Sequence, residues 1–233
     1  MSFFVDVVHW FTTASHWRGD FGIPHRVFEH VAMSAAAIVA GGCIALPVGV
    51  AIGHTGRGRA LVVNLSNVGR AVPSLAILAL AQQTLGLRGW PGFGARPAFL
   101  ALLALAVPPL LLNAAVGVEG VDEDVRDAAR GMGMTGLEML RMVELPLAAP
   151  VIMAGVRTAS VQVVATATLA AVTAWGGLGR FIVDGFGQRD NVAVFAGALL
   201  VAVLALGTEL GLGALQRRLT VFSNRAQEES HAD

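Results

Sequence analysis

Ionisable side chains crowd into residues 119–146, which hold seven acids (Glu119, Asp122, Glu123, Asp124, Asp127, Glu138, Glu144) and three arginines (Arg126, Arg130, Arg141). Asp122, Glu123 and Asp124 read as the acidic opening of a helix, where the positive end of the backbone dipole favours carboxylates. Ala128 and Ala129 continue that helix, and Gly131 and Gly133 allow a break and close backbone approach by a partner. A second amphipathic piece carries Leu137, Leu140, Met142 and Val143 and stops at Leu145-Pro146. Two short helices around a glycine turn make either a docking knob or a solvated loop with a surface helix. Catalytic chemistry has little to work with elsewhere. All sixteen basic residues are Arg, so no Lys is present for a phosphate loop (G-x-x-x-x-G-K-[ST]) or a Schiff base. The six His show no H-E-x-x-H or comparable ligand spacing, so no metal site is expected. The single Cys43 excludes an internal disulfide framework and a Cys-based zinc site. Gly176, Gly177 and Gly179 are not a dinucleotide fingerprint, because no strand precedes them. Asn64-Leu65-Ser66 fits a glycosylation sequon but falls in a membrane segment and is discounted.

The elements that position this loop follow from composition. The 233 residues are 55% hydrophobic and only 14% charged, with a mean hydropathy of +0.67. An ordinary soluble domain carries about 25% charged residues, so disordered chains, nucleic-acid binders and typical cytosolic enzymes are excluded. A bilayer-crossing helix needs about 20 mostly apolar residues. The stretches 27–53, 97–118, 147–174 and 192–215 meet that length. A fifth, 60–86, is interrupted by Asn64, Asn67, Arg70 and Pro73. The expected fold is an all-α membrane protein of about five transmembrane helices. At the start, Phe3, Phe4, Val7, Trp10, Phe11 and Ala14 share one helical face, which reads as an interfacial helix over 1–26 or as a frayed terminus. Residues 3–17 carry Asp6 and no basic leader, so they are not a secretory signal. Arginines in loops bias orientation: Arg57, Arg59, Arg126, Arg130, Arg141, Arg217, Arg218 and Arg225 on one side outnumber Arg18, Arg26, Arg88, Arg96, Arg180 and Arg189 on the other. That puts the amino terminus outside and the carboxyl terminus, with the 119–146 loop, inside. Residues 220–233 form a cytoplasmic tail, of which Asn224 to Asp233 is polar and is expected to lack structure.

Polar side chains inside spans are expensive and are functional candidates by default. Arg70, Arg157 and Glu209 can share one inner layer, with Glu209 paired to Arg157 or Arg70; snorkelling toward headgroups is the other reading. Asn67, Ser74, Gln82, Gln162, Thr166 and Thr168 either line a polar path for a zwitterion or hydrogen-bond between helices. Two G-x-x-x-G pairs, Gly49/Gly53 and Gly207/Gly211, are candidates for close helix packing. Residues 175–191 form either a short re-entrant helix or a plain surface loop.

Residues 127–146 resemble the cytoplasmic signature of ATP-binding cassette (ABC) importer permeases, which reads Glu-Ala-Ala, three residues, Gly, nine residues, Ile-x-Leu-Pro. Here Asp127-Ala128-Ala129 is followed by three residues, Gly133, nine residues and Val143-Glu144-Leu145-Pro146. Asp for Glu and Val for Ile are the departures. The run from Asn67 to Ala76, and Ala165 to Ala171 with Gly176-Gly177-Leu178-Gly179, are similar to the glycine betaine, carnitine, choline and proline importer permeases. The ending Gln216-Arg217-Arg218-Leu219 also fits. Methionine importer permeases share the signature, so an amino-acid importer is the alternative. The resemblance implies a type I importer transmembrane domain over 27–219, with a coupling helix within Asp127, Ala128, Ala129, Arg130, Gly131, Met132, Gly133, Met134 and Thr135, and with Leu145 and Pro146 closing the motif. It implies a bacterial inner-membrane protein. It also implies an ABC ATPase partner that binds the ATP, an extracellular or periplasmic solute-binding protein, a second permease subunit and surrounding lipid. No catalytic residue, cofactor or nucleic acid is implied for this chain. A membrane enzyme lacks any nucleophile–base or metal constellation here; an ATPase-independent channel or scaffold remains the other class, and ATPase dependence separates it.

Overall fold

The computed structural model describes residues 2–87, 89 and 92–230; the side chains of residues 2, 61, 68, 70, 71 and 219–230 lie outside the description, as does Arg88 entirely. Ten α-helices are described: α1 Ser2–Thr12, α2 Ile23–Thr55, α3 Arg59–Ala71, α4 Ser74–Leu87, α5 Ala95–Glu119, α6 Glu123–Gly131, α7 Gly136–Met139, α8 Leu145–Thr166, α9 Gly179–Gln188 and α10 Asn191–Ser230. A 3-10 turn at Ala14–Trp17, a π turn at Leu140–Glu144 and a 3-10 segment at Ala167–Thr173 connect them. No strand occurs among the described residues.

Among the described residues, four stretches are long and apolar enough to cross a membrane: Ile23–Thr55, Ala95–Glu119, Gly136–Thr173 and Asn191–Arg218. The shortest has 25 residues, about 37 Å of helix against roughly 30 Å of hydrocarbon. The fifth expected span is not one helix. It is α3, of 13 residues, and α4, of 14. Pro73 explains the break. It has no N–H to continue the ladder, and its ring pushes the preceding residue out of helical geometry. Its carbonyl instead starts α4, accepting from the N–H groups of Ala76 (2.9 Å) and Ile77 (3.1 Å). At the other end, α10 continues as backbone helix through Ser230, where an unstructured tail was expected.

The chain divides into two compact units, and the spanning helices contribute residues to both. The first comprises Met1–Ala40, Val72–Ala106 and Ser160–Thr208. Here α1 docks through Trp10, which packs with Ile23 and Ala196, flanked by Phe11, Phe181 and Val192. The aromatic stripe therefore splits. Val7 and Trp10 are buried, whereas Phe4 is 67% exposed, and Ala14 leaves the helix because Thr13 is extended. Residues 179–188 are helical, and Gly197 leaves room for the Phe181 side chain.

The second unit comprises Gly41–Ala71, Val107–Ala159 and Glu209–Asp233. Its centre is the crossing of α2 and α5. A Cβ at Gly49 would lie 2.6 Å from the Leu111 carbonyl, and one at Gly53 would lie 2.5 Å from the Ala115 carbonyl. Backbone approach this close needs glycine, the usual device where lipid supplies no hydrophobic drive between helices. Gly69 likewise admits the Pro108 ring, and Gly155 admits Asn113. Gly207 and Gly211 meet nothing within 4 Å, so of the two candidate pairs only the first is a packing site in this chain. We predict that Gly53→Ala lowers the thermal unfolding midpoint in detergent, by about 1–3 kcal/mol of stability lost to overpacking, whereas Gly211→Ala leaves it unchanged or slightly raised.

Candidate functional site

The site in the second unit begins with how α6 is started and stopped. Asp122 caps it, its Oδ1 accepting from the Asp124 N–H at 2.9 Å. Glu123 and Asp124 sit at the dipole's positive end and Arg130 in the last turn. Arg130 Nη1 donates to Glu123 Oε1 (2.9 Å) and to Asp127 Oδ1 (2.5 Å). Glu123, then Asp127, holds its guanidinium above the ordinary arginine range. The helix thus begins before the expected coupling segment and ends at Gly131, so residues 132–135 are turn. The stop is a Schellman arrangement: Gly133 N–H bonds the Arg130 carbonyl (2.9 Å) and Met134 N–H the Ala129 carbonyl (3.2 Å). Gly133 has φ +83°, the left-handed conformation that a Cβ disfavours. Gly131 is an ordinary helical residue, so the break belongs to Gly133 alone.

A capping box then opens the next helix. Glu138 Oε2 accepts the Thr135 N–H at 2.8 Å, and Thr135 Oγ1 accepts the Glu138 N–H at 3.4 Å. The chain does not stop at Leu145-Pro146, as the proline led one to expect. It widens into the π turn Leu140–Glu144 and runs on into α8. In an α-helix the Pro146 ring would collide with the Met142 carbonyl, and a wider turn relieves that clash.

The π turn carries Glu144 inward, with no exposed surface. Its Oε2 lies 2.5 Å from His54 Nδ1, in the last turn of α2. Its Oε1 lies 3.0 Å from Arg126 Nε, a charge contact. Arg126 Nη2 donates in turn to the Val118 carbonyl near the end of α5, at 2.5 Å. Gly136 lies against the His54 ring. One buried carboxylate therefore ties α2, α5 and α6 to the π turn. From the sequence, Arg126 counted only toward orientation and Glu144 only as a member of the motif, and His54 had no role; none was expected to meet another. The available signal was a single acid set among Met142, Val143, Leu145 and Leu147.

Around this anchor the predicted residues divide by exposure. Ala129 is buried; Asp127, Ala128, Arg130, Gly131, Met132, Gly133, Thr135 and Pro146 are exposed, with Met134 and Leu145 half-buried. Apolar side chains also face outward: Met132 is 71% exposed, Met142 67% and Leu137 56%. Arg157 Nε lies 3.4 Å from Glu209 Oε1. Of the two partners considered for Glu209, Arg157 is therefore in contact, and the Arg70 side chain lies outside the described residues. Asn67 is exposed.

In the first unit, Ser74 and Thr166 line a small pocket with Leu78, Leu102 and Leu169. Thr166 Oγ1 donates to the Gln162 carbonyl (2.7 Å) and Thr168 Oγ1 to the Ala165 carbonyl (3.1 Å). Gln82, Gln162 and Thr168 are half-buried and are not among the residues lining that pocket. Beside it, the 3-10 segment and the following loop are held on α2. His30 Nε2 bonds the Val164 carbonyl at 2.8 Å, and Glu29 Oε2 accepts the Gly177 N–H at 2.8 Å. A Cβ on Gly176 would enter the Glu29 carboxylate, and one on Gly179 the Thr168 carbonyl, which gives this glycine run its physical reason.

Among the described residues, four stretches of membrane-crossing length are present and a capped helical knob lies between α5 and α8. Residues 44–221 match the family described as binding-protein-dependent transport system inner membrane component, and the chain belongs to it: a multi-pass permease of an ABC importer, the membrane component rather than the ATPase. It is 37% identical over 196 residues to the choline transport system permease protein OpuBB of Bacillus subtilis (strain 168), covering 84% of this chain and 88% of that one. It is 38% identical over 204 residues to the carnitine transport permease protein OpuCB of Listeria monocytogenes, covering 88% and 91%. Its fold is similar to a chain of the MetNI methionine ABC transporter in an inward-facing conformation, with a TM-score of 0.73 at 22% identity over 84% of this chain and 95% of that one.

The Arg157–Glu209 contact is open to a charge swap. Either single reversal, Arg157→Glu or Glu209→Arg, sets like charges together and is expected to lose up to about 1 kcal/mol, given how exposed both side chains are. The double swap recovers most of it in thermal unfolding; absence of recovery removes the pairing.

Proposed function

We propose that this chain is the permease of an osmoprotectant importer, moving small quaternary or zwitterionic solutes of the choline, glycine betaine, carnitine or proline type. It pairs with a second permease subunit, its own copy or a paralogue, and receives solute from a binding protein. The α6–Gly133–α7 knob faces the cytoplasm and seats in a cleft of the ATPase, which binds and hydrolyses the ATP. The carboxyl terminus lies on that same side and the amino terminus on the other.

The observation that carries this reading is the knob. Each of its ends is fixed by side-chain caps or a Schellman turn, so it is rigid. Yet it leaves Met132 and Leu137 in solvent, apolar surface that a partner can bury. Closure of the ATPase pair would drive two such knobs together and turn the permeases as rigid bodies between outward- and inward-facing states. The relatives named for choline and carnitine support the solute class. The composition supports a division of labour: aromatic residues are only 6% of the chain and Tyr is absent. A quaternary ammonium prefers aromatic faces. Tight recognition therefore belongs to the binding protein, and the permease offers a weak passage.

The test is uptake of radiolabelled choline by the complete complex, competed by glycine betaine, carnitine, proline and methionine. Competition by the betaines and not by methionine is expected; the reverse overturns the solute class. Gly133→Asp, which strains the left-handed turn by about 1 kcal/mol and adds charge at the knob, should leave insertion intact while reducing ATPase co-purification and uptake at least ten-fold. Normal uptake by that variant removes the docking assignment.

A further inference from the structure

We infer that Glu144, held by Arg126 and His54, is a positioning residue that transmits force between the knob and the spanning helices. This deepens the coupling reading above and rests on it. A knob that docks on an ATPase moves the permease only if it cannot swivel on its own stem. Three routes lead from α6 back to the spans. Two are chain connections: residues 120–122 after α5, and the turn into α7. The first is three residues of loop and the second is the capped turn at Gly133, so each joins α6 to the spans through backbone alone. The third is the side-chain route. Arg126, in α6, donates a hydrogen bond to the Val118 carbonyl and lies within ion-pair distance of the Glu144 carboxylate, without hydrogen-bond geometry at that contact. Glu144 grips His54 on α2, and Gly136 sits against the same imidazole.

The burial of these groups says how firm the link is. The Glu144 side chain is 1% exposed, Arg126 11% and His54 22%. Water competes little for such contacts, and removing one partner leaves a charge buried without its counter-charge. A carboxylate needed only to fill space would be replaceable by a methionine or leucine, and the surrounding stretch is made of such residues. The π turn is the second sign. It directs this one carboxylate, out of a helix whose neighbours Met142 and Pro146 face outward, to the place where α2, α5 and α6 meet. Glu144 does not reach the exposed surface, so it takes no part in touching the ATPase.

The experiment reconstitutes the full complex in vesicles and measures ATP hydrolysed per radiolabelled choline transported. Glu144→Gln and Arg126→Gln should each retain ATPase co-purification and raise that ratio at least ten-fold. Because both act on one contact, the double variant should be no worse than either single within about two-fold. His54→Gln, at the more exposed end, should raise the ratio about three-fold, and it serves as the deciding variant if Glu144→Gln does not insert. A role in folding alone would lower hydrolysis and uptake together and leave the ratio as it is; that result, an unchanged ratio in His54→Gln, or single effects that multiply in the double variant, overturns the inference. If the wild-type complex shows no ATPase co-purification or no ATP-dependent uptake, the coupling reading itself fails and takes this one with it.

Discussion

A carboxyl group shut off from water has to be met by polar partners, and at Glu144 that requirement organises one part of the second unit. The end of α2 has to arrive beside it with His54, α6 has to present Arg126, and the helix that carries it has to widen by a residue to turn it inward. The glycine contacts between α2 and α5 serve the same arrangement. If Gly49 and Gly53 did not let those helices touch at the backbone, His54 and the Val118 carbonyl would not lie within reach of one pair of side chains. Close packing in the span and ion pairing at its end are therefore one structure.

A parallel logic holds in the other unit, with different chemistry. There the irregular backbone is the 3-10 segment Ala167–Thr173, which changes the ladder at the end of α8. The buried His30 takes up the Val164 carbonyl, and Glu29 takes up the Gly177 N–H. In both units a polar side chain of α2 reaches across to a departure from α-helical geometry and supplies the partner that the backbone itself does not. In each unit α2 is the helix against which the irregular segment is held.

What was legible in advance follows the range of the interactions involved. The spans were visible because hydropathy is summed over about twenty residues. The knob was visible because caps and turns are local: Asp122 before two acids, Thr135 three residues before Glu138, and glycine at 133 each act within one turn. The break at Pro73 was flagged by the same kind of signal. The prolongation through Pro146 was not, because a π turn is a concession to tertiary demand and leaves no mark in propensity. The role of Glu144 was equally hidden. Its His54 partner is 90 residues away, and no spacing rule connects a buried acid to an imidazole on another span. Among the polar candidates, Ser74 and Thr166 come together only because α4 and α8 meet, whereas Gln82, Gln162 and Thr168 lie off that pocket for reasons of helix rotation that one sequence does not reveal.

The interruption between α3 and α4 has a consequence for what surrounds the protein. Where a helix ends, its last carbonyls and the first N–H groups of the next lack intrahelical partners, and acyl chains have no hydrogen bonds to give. Such a gap is stable at membrane depth only against an aqueous lumen or another polypeptide. The face bearing Val72 and Pro73 is thereby a face of the second hydrophobic stretch that does not belong to lipid.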